Sequence, residues 1–149
     1  MAFVCAQKKI VLSGRKRGSH LVTKEVCAKA GDLIASVAVG TCHLFLRHTS
    51  AGLSINENAD PTVREDLCGI LHGLVPDGHQ YAHSCEGPDD MPAHALSTIS
   101  GCSLTIPITN GKLNMGVWQG IYLLEYRKYG GDREIMVTVQ GQGMGTDPS

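Results

Sequence analysis

Three histidines, far apart along the chain, have the side chains best suited to chemistry: His48, His83 and His94. Neutral imidazoles brought together from different elements suit a Zn-type ion, and three protein ligands with one open position form a catalytic metal site. We therefore expect a divalent metal, Zn or Mg, bound by His48, His83 and His94. Asp90 precedes His94 by one helical turn and can orient its ring, so catalytic roles are expected for His48, Asp90 and His94. The spacing matches no known motif, and isolated surface or core-edge histidines are the alternative interpretation.

An anion site is the second candidate, at the end of a predicted strand. Arg47, Thr49 and Ser50 offer one charged and two hydroxyl donors. Small residues follow them, so backbone N–H groups can also approach a phosphate. This pattern predicts binding of a phosphorylated small molecule. A polar strand end with Ser and Thr in a turn explains the same residues equally well.

Carboxylates offer a third chemistry. Glu86, Asp89 and Asp90 can bind Mg²⁺ on a diphosphate, or act as acid and base. Helix capping and solvated loop charges explain the two aspartates equally well. Gln119 and Glu125 share a strand face with apolar residues, which predicts buried polar groups that need partners. Ligand-binding roles are therefore expected for Glu86, Asp89 and Gln119.

Hydrophobic spacing predicts the elements that position these groups. Residues 41–48 alternate between two faces and predict a strand that ends at its histidine. A first helix is predicted from Thr23 to a stop at Gly40, with Val37 as its last buried residue. A second begins at Asp60-Pro61, where aspartate suits the N-cap and proline the first turn. Its apolar stripe consists of Val63, Leu67, Ile70, Leu71 and Leu74.

The remaining segments complete an α+β prediction. Residues 76–90 predict a long functional loop, and a short third helix begins at Asp90. Turn-forming residues 13–18 predict a hairpin near the N-terminus, and the last third of the chain predicts strands. We expect a single compact domain over residues 1–140, made mostly of antiparallel β-sheet layers with two main helices and one short helix. Residues 141–149 predict a flexible C-terminal tail.

Composition limits the classes of protein to which this chain can belong. Its 149 residues are 42% hydrophobic, which suits one core, and a formal net charge of -1 disfavours a nucleic-acid partner. The six cysteines include no C-x-x-C pair, which favours a reducing compartment. The N-terminus lacks a signal-peptide pattern, and no apolar run approaches the ~18 residues that cross a bilayer. We expect a cytoplasmic protein with no membrane partner.

Three blocks of sequence resemble the YjbQ-like family, often labelled secondary thiamine-phosphate synthase. They are residues 48–61 (HTSAGLSINENADP), 86–94 (EGPDDMPAH) and 116–122 (GVWQGIY). The resemblance runs in order from about residue 8 to residue 140. It implies a small α+β protein that assembles as a homotrimer, with a polar pocket in which His48, His83 and His94 bind a metal or an anion.

Two function classes follow from this resemblance. One is the joining of a pyrimidine diphosphate to a thiazole phosphate, with the metal and phosphate held by the three histidines. The other is a metal-dependent hydrolase or a small-ligand binding protein that uses the same residues. Two positions depart from the family pattern: Val117 replaces a usual Thr, which removes a hydroxyl beside Trp118, and Leu124 replaces a common Cys.

Overall fold

The structure is a computed structural model that describes residues 2–145. Three helices and eight strands follow one another along this part of the chain. In order they are β1 (Phe3–Leu12), β2 (Lys16–Leu21), α1 (Thr23–Ala35), β3 (Val37–Leu46), β4 (Ala51–Glu57), α2 (Pro61–Leu74), α3 (Asp90–Ser100), β5 (Ser103–Thr109), β6 (Lys112–Leu113), β7 (Gln119–Tyr129) and β8 (Arg133–Gly143).

The strands form two antiparallel sheets, and the predicted α+β class is confirmed. The five-stranded sheet has the order β1-β8-β3-β5-β6, and the three-stranded sheet has the order β2-β7-β4. The predicted N-terminal hairpin is wrong, because β1 pairs with β8 and β2 pairs with β7. Residues Gly120 to Tyr126 of β7 are all buried, so this strand needs a neighbour at each edge, and β2 supplies one of them.

The three-stranded sheet lies between two apolar clusters. Ile121 and Leu123 of β7 face the larger cluster, which contains the inner face of the five-stranded sheet and α1. Tyr122 and Leu124 face the smaller cluster, which contains α3 and the partly buried Leu67 and neighbours of α2. The alternation of side chains along one strand thus connects both halves of the core.

Two helices depart in part from their predicted patterns. The first ends at Ala35, because Val37 already belongs to β3 and not to the helical stripe. The second starts as predicted, with the Thr62 N–H donating to Oδ1 of Asp60 at 2.9 Å. Ile70 and Leu74 were expected to be buried, but 63% of each is exposed. The helix packs through Leu67 and Leu71 instead.

The third helix has 11 residues and packs on β4. Ser97 Oγ donates to the Ala51 carbonyl at 2.7 Å, and the Leu53 N–H donates to the Gly101 carbonyl at 3.1 Å. These bonds fix the helix that carries two of the predicted site residues.

The C-terminal strand is longer than the sequence suggested. It continues through Gly143, so residues 141–143 of the predicted tail pair within the five-stranded sheet. The last part of that predicted tail, residues 146–149, lies outside the described residues. Between residues 2 and 145, no helix is both long and apolar enough to cross a membrane.

Candidate metal centre

His83, Asp90 and His94 bring three potential metal ligands together, with their ligand atoms all within 4.8 Å of one another. Asp90 Oδ2 lies 2.7 Å from Nε2 of His83 and 3.2 Å from Nε2 of His94. A tetrahedral ion with bonds of about 2.0 Å would hold its ligands roughly 3.3 Å apart. The separation of His94 from Asp90 is close to this value, whereas His83 and Asp90 are at hydrogen-bond distance, and an ion would have to replace that hydrogen bond.

The hydrogen bond of His94 determines which ring nitrogen is available to a ligand. Its Nδ1 lies 2.7 Å from the Thr49 carbonyl oxygen, which only accepts, so Nδ1 carries a proton. In the neutral ring, Nε2 then presents a lone pair to Oδ2 of Asp90. Two acceptors at 3.2 Å need a proton or a cation between them. Histidines that bind metals through Nε2 usually donate their Nδ1–H to a carbonyl or carboxylate oxygen, as His94 does.

Arg127 holds the other oxygen of Asp90. Its Nη1 donates to Asp90 Oδ1 at 2.7 Å, and its Nε donates to Asp89 Oδ2 at 3.0 Å. Burial alone would raise the pKa of Asp89, but hydrogen bonds from the Lys128 N–H and from Arg127 hold that pKa below its usual value. Asp89 is therefore kept as an acceptor, and the same guanidinium bonds both aspartates.

Two of the three ligands lie on a helix, and the third lies in a loop. Asp90 and His94 lie one turn apart on α3, while His83 comes from residues 75–89, which contain no helix or strand. Arg127 Nη2 donates to the Glu86 carbonyl at 3.0 Å, which ties the end of this segment to β7. Side-chain exposure follows the same division, at 1% for Asp90, 30% for His94 and 50% for His83.

An open cleft of about 360 Å³ adjoins His94. It contains hydroxyl groups, a thiol and one further imidazole, but no carboxylate. Its lining residues are His48, Thr49, His94, Ser97, Thr98, Gly101 and Cys102. A small polar molecule in this cleft would lie against the ring of His94.

His48 lies in the cleft but outside the group of three ligands. Its Nε2 accepts the Glu134 N–H at 2.7 Å, so this nitrogen is engaged and the neutral ring carries its proton on Nδ1. Burial, reinforced by the positive charge of Arg133, lowers the pKa of His48. The predicted histidine trio is thus brought together only in part, and Asp90 occupies the third place of the group.

The other predicted ligand-binding residues divide between the centre and more distant surfaces. Thr49 and Glu86 contribute their backbone carbonyls, to His94 and to Arg127 respectively. Arg47 instead pairs with Glu134, at 2.9 Å. Ser50 and Gln119 also form hydrogen bonds away from the three ligands.

Ser50 and Gln119 each accept one hydrogen bond, Ser50 through its backbone carbonyl and Gln119 through its side chain. The Ser50 carbonyl accepts from Arg133 Nη2 at 3.3 Å. Gln119 was expected to be buried but is exposed, and its Oε1 accepts the Gly116 N–H at 2.8 Å. Because Gln119 starts β7, it lies eight positions from Arg127, roughly 26 Å along an extended strand.

Arg127 is the site residue that the sequence prediction missed. It lies two positions after Glu125, so strand alternation places both on one face, and this was the available signal. The part played by the Thr49 carbonyl had no sequence signal, because a backbone acceptor is common to every residue.

Comparisons with known proteins give one consistent family. The family model described as "UPF0047 protein YjbQ-like" matches residues 8–142. The UPF0047 protein YjbQ of Escherichia coli O157:H7 is 47% identical over 136 residues, covering 91% of this chain and 98% of that protein. The UPF0047 protein sll1880 of Synechocystis is 50% identical over 137 residues, covering 91% and 92%.

Solved structures agree with this result. An uncharacterized conserved protein of the yjbq/upf0047 family from Clostridium acetobutylicum superimposes with a TM-score of 0.73 at 35% identity, covering 90% of this chain and 98% of that chain. A YbjQ-like protein of unknown function from Sulfolobus solfataricus shares the fold, with a TM-score of 0.83 at 22% identity and 95% and 100% coverage. The chain belongs to the UPF0047 family of YjbQ-like proteins.

Proposed function

We propose that this chain binds one divalent, Zn-type cation through His83, Asp90 and His94 and acts on a small molecule in the adjoining cleft. The observation that carries the proposal is the contact of Nε2 of His94 with Oδ2 of Asp90 at 3.2 Å, while Nδ1 of His94 faces the Thr49 carbonyl. A cation bonded to both atoms turns this contact between two acceptors into an attractive one.

The donor set favours one class of cation. Two imidazole nitrogens and one carboxylate oxygen suit zinc and the other first-row metals that accept nitrogen ligands. Magnesium prefers oxygen ligands and keeps several waters, so it is the weaker candidate here. Arg127 occupies Oδ1 of Asp90, which leaves that carboxylate only one oxygen for a metal.

Hydrolysis of a phosphorylated small molecule is the reaction that these residues support best. A Zn-type ion, when bound, supplies Lewis acidity towards a phosphoryl oxygen and makes water a better nucleophile at neutral pH. The hydroxyls of Thr49 and Thr98 line the cleft and can donate to substrate oxygens. Water adds to phosphorus, the P–O ester bond breaks, and the leaving oxygen takes a proton that the water releases.

A transferase of the thiamine-phosphate synthase type is the second candidate, and the three sequence blocks that resemble this family favour it. In that reaction the bond from carbon to the diphosphate breaks, and the carbocation-like pyrimidine is captured by the thiazole nitrogen. The residues lining the cleft include no Lys or Arg, so a diphosphate there would depend on the metal for charge neutralisation.

We also propose that the chain forms a homotrimer, as the resemblance implies. The outer face of the five-stranded sheet supports this assembly, because it exposes large apolar side chains. Phe3, Val39 and Phe45 are exposed by 70%, 61% and 44%. Their burial against a second copy would remove apolar surface from water.

Metal binding by purified protein tests the proposal. The chain is stripped with a chelator and titrated with Zn²⁺, Mn²⁺, Fe²⁺ and Mg²⁺ under anaerobic conditions. We expect Zn²⁺ to bind one ion per chain, and His83→Ala, Asp90→Asn and His94→Ala each to weaken it by roughly 100-fold or more. His79→Ala is the matched control, since His79 is an exposed histidine of the same loop and lies outside the ligand group.

Activity is then measured on phosphate monoesters, and on the pyrimidine diphosphate with the thiazole phosphate, with and without zinc. Zinc-dependent release of phosphate that His94→Ala abolishes supports the hydrolase. Formation of thiamine phosphate would support the transferase instead. If His94→Ala binds zinc as tightly as the wild type, the proposed centre is wrong.

A further inference from the structure

A buried ion pair joins β7 to β8 next to the candidate metal centre. Arg133 Nε donates to Glu125 Oε1 at 2.8 Å, and Arg133 Nη2 donates to Glu125 Oε2 at 2.5 Å. Glu125 is 1% exposed and Arg133 is 6% exposed. Removing two charges from water is costly, and apolar replacements of such pairs are often as stable or more stable. The pair therefore calls for an explanation other than stability.

On one side, the pair fixes the segment that orients His94. The Arg133 guanidinium also donates to the Ser50 carbonyl, at 3.3 Å. The next residue, Glu134, donates its N–H to His48. Both bonds hold residues 47–50, the connection that carries the Thr49 carbonyl bonded to Nδ1 of His94.

On the other side, the pair fixes the residue that orients Asp90. Glu125 Oε2 accepts the Arg127 N–H at 3.2 Å. The Arg127 side chain in turn donates to Oδ1 of Asp90. Glu125 is therefore connected to Asp90 through Arg127. Its partner Arg133 bonds the segment whose Thr49 carbonyl orients His94.

A glycine provides the space that the pair needs. A Cβ atom added to Gly130 would lie 1.8 Å from Glu125 Oε1, whereas one added to Gly131 would meet nothing within 4 Å. The turn between β7 and β8 thus contains one position that must stay small for the ion pair to form. The neighbouring glycine gives a matched control.

We propose that Glu125 and Arg133, with the space left by Gly130, are positioning residues that align Asp90 and His94 for a metal. This inference rests on the proposed metal centre. It adds residues outside the ligand group that hold the metal ligands in position. The pair acts through Arg127 and through the Thr49 carbonyl, and it touches neither metal nor substrate.

The test uses two kinds of variant in the full chain. Glu125→Leu combined with Arg133→Met replaces the pair by apolar side chains, and we expect it to unfold at or above the wild-type temperature. Its zinc affinity should fall by roughly 10- to 100-fold, the usual effect of removing groups that orient metal ligands through hydrogen bonds. The visible spectrum of the Co²⁺-loaded protein should change as well, because it reports the geometry of the ligands.

Gly130→Ala and Gly131→Ala decide the matter independently of the double variant. We expect Gly130→Ala to weaken zinc binding and alter the Co²⁺ spectrum at a temperature where it remains folded, and Gly131→Ala to match the wild type. Wild-type zinc affinity and an unchanged spectrum in Gly130→Ala would overturn the positioning role and leave the metal centre standing. Absence of zinc binding in the wild type would instead overturn the centre itself.

Discussion

Arg127 donates from Nη1 to Oδ1 of Asp90 at 2.7 Å and so leaves only Oδ2 facing the two histidines. Arg127→Met should release this carboxylate and weaken zinc binding by roughly 10- to 100-fold. It should also narrow the preference for zinc over magnesium, because a freed Asp90 can offer a hard cation two oxygens.

Competition with a chromogenic chelator measures both affinities. Lys128→Met is the matched control, since it removes a neighbouring positive charge but keeps the backbone N–H that bonds Asp89. Equal effects of the two substitutions would mean that net charge, and not the orientation of Asp90, governs affinity.

His48 gives a second prediction, which separates the histidine trio expected from the sequence from the group in the structure. Its Nε2 accepts the Glu134 N–H, so His48→Gln, whose amide oxygen can accept the same bond, should retain zinc. Metal content after dialysis, determined by elemental analysis, checks this. If His48→Gln loses as much zinc as His94→Ala, His48 is a metal ligand, as the sequence predicted.

The pH dependence of stability gives a third prediction. Burial and the nearby Arg133 lower the pKa of His48 from its usual value of about 6.5. Below about pH 6.5 the unfolded chain therefore binds a proton that the folded ring resists, and the folded state loses stability as the pH falls towards the lowered pKa. Protonation of Nε2 would also remove the acceptor of the Glu134 N–H.

The free energy of unfolding in urea, measured at about pH 7.5 and about pH 5.5, should therefore fall less in His48→Gln than in the wild type. Metal-free protein is used for both, so that proton competition for the ligands does not contribute. The same decrease in both proteins would show that His48 is not responsible.

Assembly gives a fourth prediction. Phe45 is exposed on the outer face of the five-stranded sheet, so Phe45→Glu should place a charge in the proposed interface and lower the molar mass found by light scattering. Ile70→Glu on α2 is the control, because Ile70 is an exposed apolar residue on a different surface. If Ile70→Glu dissociates the protein and Phe45→Glu does not, the helix and not the sheet forms the interface.

Local patterns predicted the elements well. The alternation of residues 41–48 and the Asp60 cap each depend on residues a few positions apart. The cap is confirmed, whereas the strand starts earlier than predicted and ends at Leu46, two residues before His48. The N-terminal hairpin failed because turn residues indicate a change of direction and not a pairing partner. The strand that pairs with β2 is β7, which lies about a hundred residues later in the chain.

The candidate site was predictable in part for the same reason. Asp90 and His94 are one helical turn apart, and their proximity followed from sequence spacing. The orientation of His48 depends on Glu134, and that of Asp90 depends on Arg127, which are 86 and 37 positions away. Such pairings are products of sheet packing, which no local pattern records.

The division of ligands between a helix and an irregular segment has a kinetic consequence. Asp90 and His94 are fixed on α3 before any ion arrives, whereas His83 belongs to residues 75–89 and is the most exposed of the three. His83 is hydrogen-bonded to Oδ2 of Asp90, so an incoming ion would have to replace that bond before it could take both atoms as ligands. Release would run in reverse, so the lifetime of the bound ion would depend on how often its bond to His83 breaks, while Asp90 and His94 would govern its capture.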